Sequence, residues 1–148
     1  MTNGQGSGRG RTKARRLAMQ ALYQRQIGGQ DPKDICNDYI RTGQLEDADE
    51  DYFTAILLGV TDESSSLDAA LSGFLDRPAG QLDPVERAIL WIGAYELTNR
   101  PDVPFRVVIN EAVELARTFG AEGSHRYVNG VLDKVAAELR ADEVVATR

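Results

Sequence analysis

From Thr12 to Arg140 the apolar residues recur at intervals of three and four, and no stretch holds the two-residue alternation of a half-buried strand long enough to form one. That regularity restricts the chain to an all-α fold. The best strand candidate, Val107-Val108-Ile109, lies inside a helical pattern. With 148 residues there is material for one domain, or for two small subdomains sharing a core. The longest apolar run, residues 55–60, is far below the ~20 residues of a membrane span. The N-terminus shows Gly, Arg and Ser in place of an apolar signal segment, and the single cysteine, Cys36, can form no intrachain disulfide. A reducing, cytoplasmic setting is expected.

The punctuation predicts six to seven helices. A flexible basic arm over residues 1–11 leads into a helix from about Thr12 to Ile27, stopped by Gly28-Gly29. Asp31-Pro32 opens a short helix ending at Gly43. A longer stretch from about Asp49 to Leu75 follows, with Ser64-Ser65-Ser66 as the place where it divides. Asp83-Pro84-Val85-Glu86 combines a cap, a first-turn proline and an acid three residues after the cap. That helix closes at Asn99-Arg100-Pro101. Pro104 opens the next, which ends at Gly120, and Ser124 caps the last. The tail from 141 to 148 is expected to fray. Asn129 and Gly130 cost helix propensity, which implies close packing or a polar contact there. Short loops favour antiparallel neighbours, hence a bundle or two packed small bundles.

The net charge of −6 conceals an asymmetry. Residues 1–30 carry six cations and no acid, a sum of +6, and the other 118 residues sum to −12. An evenly basic nucleic-acid coat is excluded, but a local basic arm on an acidic body is a pattern for nucleic-acid contact.

Several chemistries are missing. No glycine-rich stretch has the spacing of a phosphate loop, and neither a dinucleotide fingerprint nor a His-Glu-x-x-His string occurs. One histidine, His125, cannot build a His-based metal cluster, and Glu111 and Glu114 lack the Glu-x-x-His partners of a di-metal bundle. They read as a solvated helix face, and Cys36 as a buried small hydrophobe. No catalysis, metal or cofactor is expected.

Three constellations carry chemistry. The first is Arg9, Arg11, Lys13, Arg15 and Arg16 running into a helix that bears Tyr23 and Gln24. Guanidinium forks suit phosphates, an aromatic ring can stack a base and an amide can read its edge. The alternative is a solubilising tail with Tyr23 half buried. Five phosphate contacts on a single strand would give a salt slope near −3.5, at roughly 0.7 each. Replacing Arg15 and Arg16 with alanine is expected to weaken nucleic-acid binding and leave helicity intact. The second is the segment 120–130, with Ser124, His125 and Arg126 at a helix N-terminus, a setting that favours anions; the alternative is an ordinary capped turn. The third is the helix bearing Glu86, Arg87, Trp91, Tyr95 and Glu96, which cannot all face one core and so suggest a partner surface; the alternative makes Trp91 a core aromatic.

Asp83 to Leu97, Asp102-Val-Pro-Phe105, Val108 to Ala116, Phe119-Gly120 and Ser124 to Lys134 together resemble the NusB family, and the likeness reaches back to Ala21-Leu22-Tyr23-Gln24 and the Arg-rich start. The strings I-N-E-A-x-E-L-A and V-N-G-V-L-D-K are specific in combination. The resemblance implies two three-helix bundles, about 12–76 and 83–140. It implies a transcription antitermination factor that binds boxA-type single-stranded RNA with ribosomal protein NusE, joins other Nus factors and RNA polymerase indirectly, and supports ribosomal RNA operons. Carried over by position, the arm, Tyr23, Gln24 and the loop of Glu122, Ser124, His125 and Arg126 form the RNA face. Glu86, Arg87, Trp91, Tyr95 and Glu96 contribute to the NusE face, so Glu86→Lys with Tyr95→Ala is expected to impair NusE capture first. Gly123 departs from relatives, which often carry an acid there. Two other readings stand beside this one. Some members of the family form homodimers, so a self-associating helical protein is one. NusB-like domains also precede certain ribosomal RNA methyltransferases, so a detached RNA-recognition domain is the other.

Overall fold

The computed structural model describes residues 8–147. Among these are eight α-helices and one 3-10 turn, with no strand. The helices divide into two compact units, one ending at Glu63 and one beginning at Ser64.

The first unit holds α1 (Gly8–Gly28), α2 (Pro32–Arg41) and α3 (Glu50–Asp62). α1 and α3 form its main contact, with α2 packed on both. The inward residues follow the predicted stripe: Ala14, Leu17, Ala18, Ala21 and Leu22 are buried, as are Phe53, Ile56, Leu57 and Val60. Tyr39 meets Phe53 with ring centroids 5.2 Å apart, and Cys36 is buried as expected. Asp31 caps α2 by accepting from Lys33 N, and Asp49 caps α3 by accepting from Tyr52 N. α1 starts four residues before the predicted Thr12, so Arg9 and Arg11 are helical. The Gly10 carbonyl accepts from Asp49 N at 3.0 Å, an anchor from outside the helix that offsets two glycines in its first turn. The rest of the expected arm, residues 1–7, lies outside the described residues.

The second unit holds α4 (Ser64–Ser72), the 3-10 turn Ala79–Gln81, α5 (Pro84–Asn99), α6 (Phe105–Phe119), α7 (Ser124–Leu139) and α8 (Ala141–Ala146). The helical stretch predicted from Asp49 does divide at the serines, but α4 packs on α5. It therefore joins the second unit, and the boundary falls at Glu63 instead of between 76 and 83. α5 is the centre: residues 88–97 are buried without a break, and α4, α6 and α7 surround it. Ser124 does not cap α7. Gly123 stands at the cap position, at φ 82°, a left-handed conformation that favours glycine over residues with a side chain. Gly130 has open space around it and Asn129 is exposed, so the close approach expected there is absent.

That approach is at Gly93 on α5, where an added Cβ would stand 2.7 and 2.9 Å from the two methyl carbons of buried Leu132 on α7. Gly93→Val overpacks this crossing and is expected to cost about 1–3 kcal/mol. Thermal unfolding checks it, and an unchanged midpoint would show that Leu132 simply turns aside.

Residues 141–146, expected to fray, form α8. α8 folds back so that Glu143 accepts from Phe105 N at 2.9 Å, which supplies the cap that Pro104 cannot give to α6.

Candidate nucleic-acid interface

One turn of α-helix takes 3.6 residues, so Arg9, Thr12, Arg16, Gln20, Tyr23 and Ile27 share one face of α1, flanked by Lys13 and Gln24. This face turns away from the stripe that builds the core. Arg9 is exposed, Lys13, Arg16 and Gln24 are half-buried, and Tyr23 and Ile27 are 42% and 64% exposed. The face runs about 27 Å at 1.5 Å per residue. Cations occupy its first half, and an aromatic ring with two amides the second.

Arg15 does not belong to it. Its position is inward, and it is only 2% exposed, with its guanidinium 5.3 Å from the Tyr52 ring centroid. Arg11 lies over the same ring at 4.4 Å and 3.9 Å from Asp49. The two guanidiniums share one aromatic residue, an arrangement that holds α1 to α3. Arg15 is therefore corrected from an RNA contact to a packing residue. Arg15→Ala is expected to lower stability by about 1–3 kcal/mol, which thermal unfolding measures. An unchanged midpoint with lost RNA affinity would restore the first assignment.

In the second unit the loop before α7 borders a cavity of about 340 Å³ lined by Arg77, Asp83, Glu86, Glu122, Ser124 and Tyr127 among others. Glu122 and Arg126 are exposed and His125 is half-buried. Ser124 is buried, and its hydroxyl donates to Glu86 Oε2 at 2.6 Å. So Ser124 and Glu86, assigned to two different faces from sequence, are one pair. The Tyr127 hydroxyl donates to Asp76 Oδ1 at 3.0 Å and accepts from Asp76 N at 3.1 Å. Arg77 pairs with Asp76 at 2.8 Å and stands 5.6 Å from the Tyr127 ring centroid. The Arg77 hydrogen bond, with help from Tyr127, holds the Asp76 carboxyl below its usual range, and burial pushes the Tyr127 phenol up. Near neutral pH Asp76 is thus an anion and Tyr127 a neutral donor. Sequence reading gave Asp76, Arg77 and Tyr127 no role. Tyr127 lay inside the segment singled out, but its partners Asp76 and Arg77 sit 51 and 50 residues away in a coil and left no periodic signal.

The partner set on α5 is mostly interior. Trp91, Tyr95 and Glu96 are 6%, 9% and 1% exposed, because α4, α6 and α7 cover that helix. Trp91 donates Nε1 to Asp68 at 2.8 Å, and Arg87 bonds the other oxygen of Asp68 at 2.7 Å while lying over the Trp91 ring. Only Glu86 and Arg87 keep some exposure. Tyr95→Ala would therefore empty part of a core, which corrects its place among the surface contacts. Among the described residues, no group of three His, Cys, Asp or Glu side chains is placed to hold a metal ion, and no helix is long and apolar enough to cross a membrane.

The profile of the NusB family matches residues 12–137. The chain belongs to the NusB family. The transcription antitermination protein NusB of Nitrosococcus oceani is 53% identical over 133 residues, covering 90% of this chain and 89% of that one. The protein of the same name from Halorhodospira halophila is 53% identical over 140 residues, covering 93% and 90%. Among solved structures, T. maritima NusB superposes with a TM-score of 0.78 at 27% identity, over 90% of this chain and 96% of that one. A crystal structure of the antitermination factors NusB and NusE in complex with dsRNA gives the same TM-score at 21% identity, over 86% and 96%; it shares the fold. The all-α NusB fold expected from sequence is therefore present, built from two more helical pieces than the lower count because of the division at Glu63 and the folded tail.

Proposed function

We propose that this NusB-family protein is a transcription antitermination factor that binds boxA-type RNA together with ribosomal protein NusE in the cytoplasm, supports transcription of ribosomal RNA operons, and catalyses no reaction. Curated relatives at 53% identity bear the antitermination name, and a protein of the same fold is known with NusE and dsRNA. The observation that carries the RNA reading is the outer face of α1, where Arg9, Lys13 and Arg16 stand free of the core and lead to Tyr23 and Gln24. The cations position phosphates, and the second half stacks and reads bases. In the second unit the loop cavity holds three carboxylates against Arg77. A carboxylate only accepts, so Glu122 would read a base amino group and not a phosphate, while Arg126 supplies the cation. Glu86 and Arg87 are the part of the NusE set left at the surface.

With Arg15 packed inside and Arg11 held over Tyr52, three cations remain for the strand on α1. With Arg126 of the second unit as a fourth contact, a fluorescence titration against single-stranded boxA RNA should then show a salt slope near −2.8, at roughly 0.7 per contact, in place of the −3.5 expected from five on the arm alone. Affinity flat from 50 to 200 mM salt would refute the reading, and preference for a duplex of the same sequence would replace the single strand as the ligand. The exposure of Tyr23 and Ile27 supports a second reading, in which this face pairs two copies of the chain. Sedimentation decides it: a dimer that persists at saturating RNA favours self-association.

A further inference from the structure

The N-terminal turns of α1 rest on the connection between α2 and α3. Asp49 N donates to the Gly10 carbonyl at 3.0 Å, Arg11 lies 3.9 Å from Asp49, and Lys13 Nζ donates to the Glu46 carbonyl. The end of the connection and the first two residues of α3 read Glu46-Asp-Ala-Asp-Glu-Asp51, five carboxylates in six residues. Asp49 is 4% exposed and serves the fold, as cap of α3 and partner of Arg11. Glu46 and Asp47 do neither. Both are exposed, and neither carboxylate takes part in an ion pair or hydrogen bond among the described residues. Asp47 sits at φ 66°, a left-handed turn conformation that Asp and Asn adopt more readily than other non-glycine residues. The ammonium of Lys13 is thus held on the backbone of a residue that carries an unpaired carboxylate, next to a second one. A phosphate that approaches Lys13 therefore does so beside a segment carrying two exposed carboxylates.

We propose that Glu46 and Asp47 act as an electrostatic brake on the basic face of α1: they lower its affinity for any polyanionic strand, so that binding leans more on base contacts than on phosphates. This rests on the RNA reading of α1 given above. Unit charges on this segment repel an incoming phosphate through solvent, and raising the salt shortens the Debye length and weakens that repulsion. A brake of this kind acts on the sequence-independent part of binding, which is the part that phosphates supply.

The test titrates the full chain, without NusE, against a scrambled single-stranded RNA of about 12 nucleotides at 50 and 300 mM salt. Glu46→Gln with Asp47→Asn removes both charges, keeps the shapes and leaves the left-handed residue as Asn. We expect affinity to rise about three- to tenfold at 50 mM and less than about twofold at 300 mM. Equal or weaker binding at 50 mM overturns the brake, as does a gain that persists undiminished at 300 mM. Arg9→Ala with Arg16→Ala is titrated in parallel. If that pair loses nothing, the RNA reading of α1 has failed; if it loses affinity while the acidic pair gains none, only the brake has failed. Should the double acidic variant unfold, Glu46→Gln alone decides, with a gain of about two- to threefold expected and no gain overturning the proposal.

Discussion

Replacing Arg9 and Arg16 together with alanine lowers affinity for a short single-stranded RNA by more than about tenfold at 0.1 M salt and makes the salt slope shallower by about 1.4, at roughly 0.7 per phosphate contact. Both side chains lie on the outer face of α1, a turn or two apart, and neither is needed by the core beneath. The reverse holds for Arg15, one residue away, which is 2% exposed against Tyr52. The comparison is therefore internal: adjacent arginines of the same helix, one group changing affinity with a constant melting temperature, the other changing melting temperature. Filter binding or fluorescence anisotropy reads the first quantity and calorimetry the second. If Arg9 and Arg16 were only a solubilising surface, the salt slope would not move.

Arg140→Met is the substitution with the largest expected effect on stability, about 3–5 kcal/mol. The side chain is 9% exposed, and its guanidinium spends all five of its N–H donors. It donates to the carbonyls of Glu96, Leu97, Arg100 and Val103, at 2.9–3.1 Å, and to Glu143 Oε1 at 2.7 Å. Leu97 O in the last turn of α5 has no helical donor because residue 101 is proline, and this one side chain satisfies it while also binding Glu96 O and the carbonyls of the turn from Arg100 to Val103. Its partner Glu143 caps the start of α6 through Phe105 N. Methionine fills much of the volume and satisfies none of these groups. Lysine keeps the charge but has three donors where five are used, so Arg140→Lys recovers only part of the loss. A melting temperature unchanged by either substitution would mean that the tail contributes nothing to the second unit.

The same clasp sets a pH dependence. The Phe105 N–H, and after it the Arg140 guanidinium, hold the Glu143 carboxyl below its ordinary range. A carboxyl depressed in the folded state adds stability above its unfolded pKa of about 4.3, and that stability is lost as pH falls through the lower folded value. The gap in melting temperature between the protein and Glu143→Gln is therefore expected to be constant at neutral pH and to close as pH drops below about 4. A gap independent of pH would assign the effect of the substitution to packing.

The helices were legible because their signals are local. Asp31-Pro32 and Asp83-Pro84 cap α2 and α5 as read, and the apolar stripes of α1, α3, α6 and α7 face inward as periodicity predicts. What was not legible depends on contacts distant in the chain. The tail looked polar, and its order comes from Arg140 and Glu143 reaching residues 37 to 44 positions away. Arg15 looked like one more cation of a basic run. Its helical phase already placed it on the side of Ala18 and Leu22, a signal that was available and outweighed by the count of charges. The α5 residues Trp91, Tyr95 and Glu96 looked too polar and too widely spread for one core. A helix covered by three others has core on every side, and periodicity alone cannot announce that. The pairing of Ser124 with Glu86 joins two motifs that were read separately, since a hydrogen bond between helices leaves no trace in either string.

The most direct measurement is a photo-crosslinking map. BoxA RNA carrying 4-thiouridine is irradiated with the full chain and NusE, and the adducts are located by mass spectrometry. Adducts on the outer face of α1, at Arg9, Arg16, Tyr23 or Gln24, are the predicted result, and a scrambled strand should give fewer of them. Abundant boxA adducts that spare α1 altogether would contradict the account.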